Sequence, residues 1–184
     1  MSNKVYDEII IAGFGGQGVL LAGMILAQAA LEEAKHTTWF PSYGAEMRGG
    51  TANSTVIVSD DEIGSPVFVN PSILIAMNEQ SLNKFLPKMK EGTLIIYNSS
   101  LSKNKLSIQG IKTKEIPASE LADKQLGNIR AANMIMIGAL LKTKGILTLD
   151  SAKKACQKAF PNNQKMIKLN QEALDLGYNY KDSH

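Results

Sequence analysis

Gly13, Gly15 and Gly18 stand at the spacing G-x-G-x-x-G within Gly13-Phe14-Gly15-Gly16-Gln17-Gly18. Glycines so spaced let a chain turn tightly, let a phosphate approach the backbone, and let a helix sit close to the preceding strand. A helix starting just behind them offers free N–H groups and the positive end of its dipole to an anion. The chemistry on offer is capture of a phosphate or carboxylate. A turn that only allows close helix–strand packing has the same spacing, so the glycines alone leave both readings open. The Gln17 amide can reach a ligand or a partner's backbone from the helix start. A second glycine-framed stretch, Pro41-Ser42-Tyr43-Gly44-Ala45-Glu46-Met47-Arg48-Gly49-Gly50, carries Tyr43, Glu46 and Arg48 as its large polar groups. Arg48 suits a bidentate contact to carboxylate or phosphate, or else forms an ion pair with Glu46 inside the loop. Gly49 and Gly50 permit close approach of another backbone.

Residues able to break bonds are scarce. The histidines are His36, at an expected strand start, and His184, the last residue. Cys156 lies on the apolar side of an amphipathic stretch and reads as core. No serine sits in a nucleophile elbow, and Asp60-Asp61-Glu62 reads as a charged turn. No catalytic residue and no metal ligand is therefore assigned, and the pattern suggests a subunit of a larger enzyme. A nicotinamide-binding fold would also want a carboxylate about 20 residues past the glycines, at the end of the second strand. That strand ends Trp39-Phe40-Pro41-Ser42 instead. A stand-alone NAD(P)-binding oxidoreductase stays as the alternative.

The elements that must position these residues follow from periodicity. Val5 to Ala12 is a β-branched apolar strand, and Gln17 to Glu33 a helix apolar on nearly all sides. His36 to Phe40 reads as a second strand, joined to the first by a parallel crossover. Residues 41–50 then form a loop at the sheet edge where open α/β folds bind ligands. Further strands are expected at Thr51–Ser59, Ser72–Met77 and Thr93–Tyr97, with short ones at 106–108 and 114–116. Asn78 caps the helix that ends near Pro87, and Ser119 caps another. Arg130–Lys142, Ser151–Phe160 and Gln164–Leu176 are helical, with Gly177 as the last stop and a frayed tail from Tyr178 to His184. The fold class is α/β: a single domain over 1–184, a three-layer, Rossmann-like, open and mainly parallel sheet with helices on both faces.

Composition narrows the partners. The 184 residues carry 20 basic and 17 acidic side chains. Residues 1–100 hold 6 basic and 10 acidic groups (net −4), and 101–184 hold 14 and 7 (net +7). Lysine supplies most of the positive charge and aromatics are few, which argues against nucleic acid. One cysteine cannot build a disulfide framework, a zinc site or an iron–sulfur cluster. The longest apolar run, Val19 to Leu31, is too short to span a bilayer and no signal peptide is visible, so a soluble cytoplasmic chain is expected.

The two glycine-rich motifs together, 13–18 and 41–53, resemble the gamma subunit of 2-oxoacid:ferredoxin oxidoreductases. Leu74-Ile75-Ala76-Met77-Asn78 and Asn128-Ile129-Arg130-Ala131-Ala132-Asn133-Met134 are similar to segments of that family. The resemblance covers about residues 5–177. It implies a multisubunit enzyme that converts a 2-oxoacid and coenzyme A to an acyl-CoA and passes electrons to ferredoxin. Thiamine diphosphate and the iron–sulfur clusters would sit chiefly on other subunits (alpha, beta and a ferredoxin-like delta), leaving this chain inactive alone and holding no cofactor tightly. The cofactor-facing residues it implies are Gly13, Gly15, Gly16, Gln17, Gly18, Ser42, Tyr43, Glu46, Arg48, Gly49 and Asn78. Arg48-Gly49-Gly50-Thr51-Ala52-Asn53 looks like the 2-oxoglutarate and branched-chain members, and Met77-Asn78-Glu79 tilts the reading to 2-oxoglutarate. Branched-chain and indolepyruvate oxidoreductases have similarly built subunits.

Overall fold

The computed structural model describes residues 4–43, 51–102 and 106–181. Strand β1 (Tyr6–Phe14) leads through the glycine turn into helix α1 (Val19–Glu32), as its apolar run followed by an uncharged apolar segment requires. The chain returns as β2 (His36–Tyr43), reverses into β3 (Thr51–Ser59), and crosses to β4 (Ile73–Ala76) and α2 (Glu79–Phe85). Then come β5 (Leu94–Asn98), β6 (Lys112–Ile116) and four helices: α3 (Ala118–Leu126), α4 (Ala132–Lys144), α5 (Leu149–Ala159) and α6 (Gln164–Tyr178).

The six strands lie in the order β2-β3-β1-β4-β5-β6. β1, β4, β5 and β6 are mutually parallel, whereas β3 runs antiparallel to both β1 and β2. The expected parallel crossover from β1 to β2 therefore skips a place: the two strands point the same way, with β3 between them. Alternation along the strands splits the core into two faces. Ile9, Ile11, Ile73, Ile75 and Ile96 pack on the side of α1 and α4. Ile10, Leu74, Ile95 and Tyr97 pack against Leu82 and Phe85 of α2. Helix α4 is buried from Ala132 to Leu141, which explains why its sequence is apolar all round.

Several boundaries differ from expectation for identifiable reasons. β2 runs on through Pro41-Ser42-Tyr43, paired with Ser54, Asn53 and Ala52. Proline is tolerated there because β2 is an edge strand. Of the two short strands expected between 101 and 117 only one forms: Lys112–Ile116 pairs with β5, and residues 106–108 take no strand structure. Ser119 is not a cap. It lies inside α3, which starts after Pro117, and its buried hydroxyl is engaged by Asn98. Gly177 does not end the last helix. It sits within α6 where that helix crosses α4, and Cβ atoms on Gly138 and Gly177 would run into Leu174 O and Ile135 O respectively. Tyr178 and Tyr180 pack against the core, so the tail expected to fray from residue 178 is held as far as Tyr180.

Candidate functional site

The glycine motif closes β1 and opens α1. Gly16 and Gly18 have φ of 93° and 70°, the left-handed region that a side chain resists. A Cβ on Gly18 would also collide with the Asn133 amide nitrogen. Gly15 and Gly16 face open space. Helix α1 starts at Gly18 with no side-chain cap and no acidic residue in its first turn, so its positive end is not neutralised locally.

Gln17 is held by hydrogen bonds within the chain while lining the crevice described below. Its Oε1 accepts from the Phe14 N–H at 2.7 Å and from Asn78 Nδ2 at 2.6 Å. Its Nε2 donates to Met77 O at 3.4 Å. The amide ties the end of β1 to the end of β4, and Asn78 is both the cap of α2 (2.8 Å to the Ser81 N–H) and part of that tie. Further amides extend the network. Asn98 Nδ2 donates to Met77 O at 3.2 Å and to Ser119 Oγ at 2.8 Å. Asn133 Nδ2 donates to Gly18 O at 2.9 Å, while its Oδ1 accepts from the Met134 N–H. The ends of β1, β4 and β5 and the starts of α3 and α4 are thereby locked together.

β1 feeds a helix on one face of the sheet and β4 feeds a helix on the other, so a crevice opens between them at their carboxyl ends. It holds about 130 Å³. Gly16 and Gln17 line one wall, with Met77 and Leu101 after β4 and β5, and Ile129 and Arg130 before α4. Arg130 is the one charged side chain in this lining, and it makes no ion pair among the described residues. The site thus combines exposed glycine backbone, an uncapped helix start and a guanidinium around a mostly apolar slot. That suits a narrow ligand with an anionic group.

Of the sequence-derived site residues, Gly13, Gly15, Gly16, Gln17, Gly18 and Asn78 converge here. Ser42 is half-buried at the end of β2, at the same edge of the sheet but two strands from β1. Tyr43 contributes its backbone to the end of β2. Glu46, Arg48 and Gly49 lie outside the described residues. Reasoning from sequence missed Arg130, Asn98 and Asn133 as site residues. Two of them stand in the 128–134 segment already singled out, and Asn98 is the polar residue that ends the buried strand β5, ahead of Ser99 and Ser100. The place of a nicotinamide-ribose carboxylate is taken by the start of β3, where Thr51, Ala52 and Asn53 lie opposite Phe14, Gly13 and Ala12. No acidic residue stands there.

Among the described residues no group of three His, Cys, Asp or Glu side chains is placed to hold a metal. Cys156 is fully buried, and burial pushes its thiol up to about 12. A single buried thiol does not fit an iron–sulfur cluster, which needs several thiolates.

The profile of the pyruvate ferredoxin/flavodoxin oxidoreductase family matches residues 8–180. The ketoisovalerate oxidoreductase subunit VorA of Methanothermobacter thermautotrophicus is 40% identical over 172 residues, covering 92% of this chain and 35% of that one. The 2-oxoglutarate synthase subunit KorC of the same organism is 37% identical over 164 residues, covering 86% and 87%. This chain therefore spans about a third of the length of VorA but most of KorC. Among solved structures, a keto/oxoacid ferredoxin oxidoreductase gamma subunit from Geobacter sulfurreducens superimposes with a TM-score of 0.77 at 30% identity, covering 94% and 96%. A 2-oxoglutarate:ferredoxin oxidoreductase from Magnetococcus marinus, solved with 2-oxoglutarate, coenzyme A and succinyl-CoA, gives 0.85 at 25% identity, covering 94% of this chain and 30% of that one. The match across the whole sheet and its glycine-turn edge makes this chain a member of the pyruvate ferredoxin/flavodoxin oxidoreductase family, of the gamma-subunit type.

Proposed function

We propose that the chain is the gamma subunit of a cytoplasmic, coenzyme A-dependent 2-oxoacid:ferredoxin oxidoreductase whose substrate is 2-oxoglutarate. The observation that carries this is a family match over residues 8–180 that includes the locked crevice at the carboxyl edge of the sheet. The choice of 2-oxoglutarate is supported by the 41–53 and 77–79 motifs and by the KorC relatives, whose length this chain nearly fills. Residues 1–184 act as one unit, and alpha, beta and ferredoxin-like delta chains supply the rest of the enzyme.

Thiamine diphosphate and iron–sulfur clusters, held by those chains, supply decarboxylation and electron transfer. This chain's own contribution is to bind and orient. The Gly15-Gly16 backbone and the Arg130 guanidinium hold an anionic group of coenzyme A or of the oxoacid. The slot of about 130 Å³ takes one narrow end of such a ligand, not a whole coenzyme. Gln17, Asn78 and Asn98 fix the width of that slot. Ser42, Tyr43, Glu46, Arg48 and Gly49 complete the wall toward the partner chains.

The test is a substrate comparison with the complex captured through this chain. Coenzyme A-dependent reduction of ferredoxin is followed with 2-oxoglutarate, 2-oxoisovalerate, pyruvate and indolepyruvate. A kcat/KM highest for 2-oxoglutarate is expected. A preference for any of the others overturns the substrate assignment, and turnover without coenzyme A overturns the reaction.

A further inference from the structure

Three polar side chains line the slot, those of Gln17, Ser119 and Arg130, and the rest of its lining is glycine or apolar. The acceptors among the lining residues are engaged from within the chain. Gln17 Oε1 takes the Phe14 N–H and Asn78 Nδ2. The Met77 carbonyl takes Gln17 Nε2 and Asn98 Nδ2. Ser119 Oγ takes the same Asn98 amide at 2.8 Å. Donors are left over. The Arg130 guanidinium has no ion pair among the described residues, and the Ser119 hydroxyl still has its proton to give.

The position of Ser119 explains that spare proton. A helical serine commonly donates to a carbonyl one turn back. Ser151, in the first turn of α5, does so, giving its proton to Thr148 O at 2.8 Å. Ser119 lies in the first turn of α3, and the residue four places back, Glu115, belongs to β6. Among the described residues the Ser119 hydroxyl donates to no acceptor. Ser119 is 7% exposed, and the slot that it lines is where an acceptor can reach it. A buried donor left unmatched costs free energy that a ligand acceptor recovers on binding.

A lining with spare donors and engaged acceptors selects for a group that only accepts. An ionised phosphate or carboxylate is such a group, whereas an amide or hydroxyl brings a donor that finds no partner there. We infer that Ser119 is a ligand-binding residue whose hydroxyl, together with the Arg130 guanidinium, donates to one acceptor-only terminal group, a phosphate of coenzyme A or the second carboxylate of a dicarboxylic oxoacid. Asn98 acts as its positioning residue, holding Ser119 Oγ from one side and Met77 O from the other. This rests on the gamma-subunit reading above and adds to it a residue that sets specificity.

The test is ligand binding to the complex captured through this chain, read by calorimetry with two matched pairs of probes. Coenzyme A is compared with pantetheine, which lacks every phosphate, and 2-oxoglutarate with 2-oxovalerate, which lacks the second carboxylate. Ser119→Ala is expected to raise the Kd of one anionic member about tenfold and that of its counterpart by less than about twofold. A loss confined to coenzyme A identifies the group as a phosphate, and a loss confined to 2-oxoglutarate identifies it as a carboxylate. Arg130→Ala should weaken the same member. Ser119→Cys, close in size and a weaker donor, should give an intermediate loss, and it carries the test where Ser119→Ala fails to assemble. Equal weakening within both pairs marks a purely structural serine and overturns the inference, as does unchanged binding of both anions; either result leaves the gamma-subunit reading standing. A wild-type complex that binds neither coenzyme A nor a 2-oxoacid overturns both.

Discussion

At the level of single residues, the site is held by amides and glycine backbone, with little ionisable chemistry. Gln17 links Phe14, Met77 and Asn78 through one side chain, so Gln17→Ala should cost about 1–3 kcal/mol in chemical denaturation, because a half-buried tie between two strand ends is left unmade. Gly16 and Gly18 separate two effects. Both carry positive φ, but only Gly18 faces an obstacle, the Asn133 amide. Gly18→Ala should therefore destabilise by about 2–3 kcal/mol and Gly16→Ala by about 1–2 kcal/mol, read from the same unfolding curves. On the proposed function, where Arg130 holds an anionic group of the ligand, Arg130→Ala should raise the KM for coenzyme A or oxoacid roughly tenfold, with kcat little changed, in steady-state assays of the complex. Cys156 should resist alkylation in the folded chain at pH 8. Its thiol is raised from the ordinary 9.0 to about 12, so the folded state holds the proton more tightly than the unfolded one. The resulting stability is present below pH 9 and is lost as pH rises toward 12. Cys156→Ala should flatten that part of the pH dependence, measured as the difference between the two denaturation profiles.

At the level of elements, the crossing of α4 over α6 is as demanding as the glycine turn. Gly138 and Gly177 bring the two backbones together, and neither neighbour is a flexible side chain that can move aside. Gly177→Ala should cost about 2–3 kcal/mol, seen as a fall in the denaturation midpoint, although glycine within a helix is ordinarily the poorer choice. That position also shows where reading a sequence fails. A glycine near the end of a periodic run looks like a stop, and only the facing helix reveals a close approach. Apolar and β-branched runs were legible: β1, β3, β4, β5 and α4 stand where their patterns put them. The place of β3 between β1 and β2 was not, because pairing order depends on long-range contacts that a local pattern does not carry. The glycine turn and the Asn78 cap were legible from type and spacing. The Asn98 and Asn133 ties were not, since each joins residues 21 to 115 positions apart.

At the level of the whole molecule, the family match and the edge crevice support the proposed reading of this chain as one part of a larger enzyme. The crevice is too small for a whole coenzyme, and a single buried cysteine does not fit a cluster. Native mass spectrometry of material captured through this chain from its own cell tests the claim most directly. The account predicts an assembly that holds this chain with a thiamine diphosphate-binding chain and the remaining oxidoreductase subunits. A lone monomer in the native extract would contradict it.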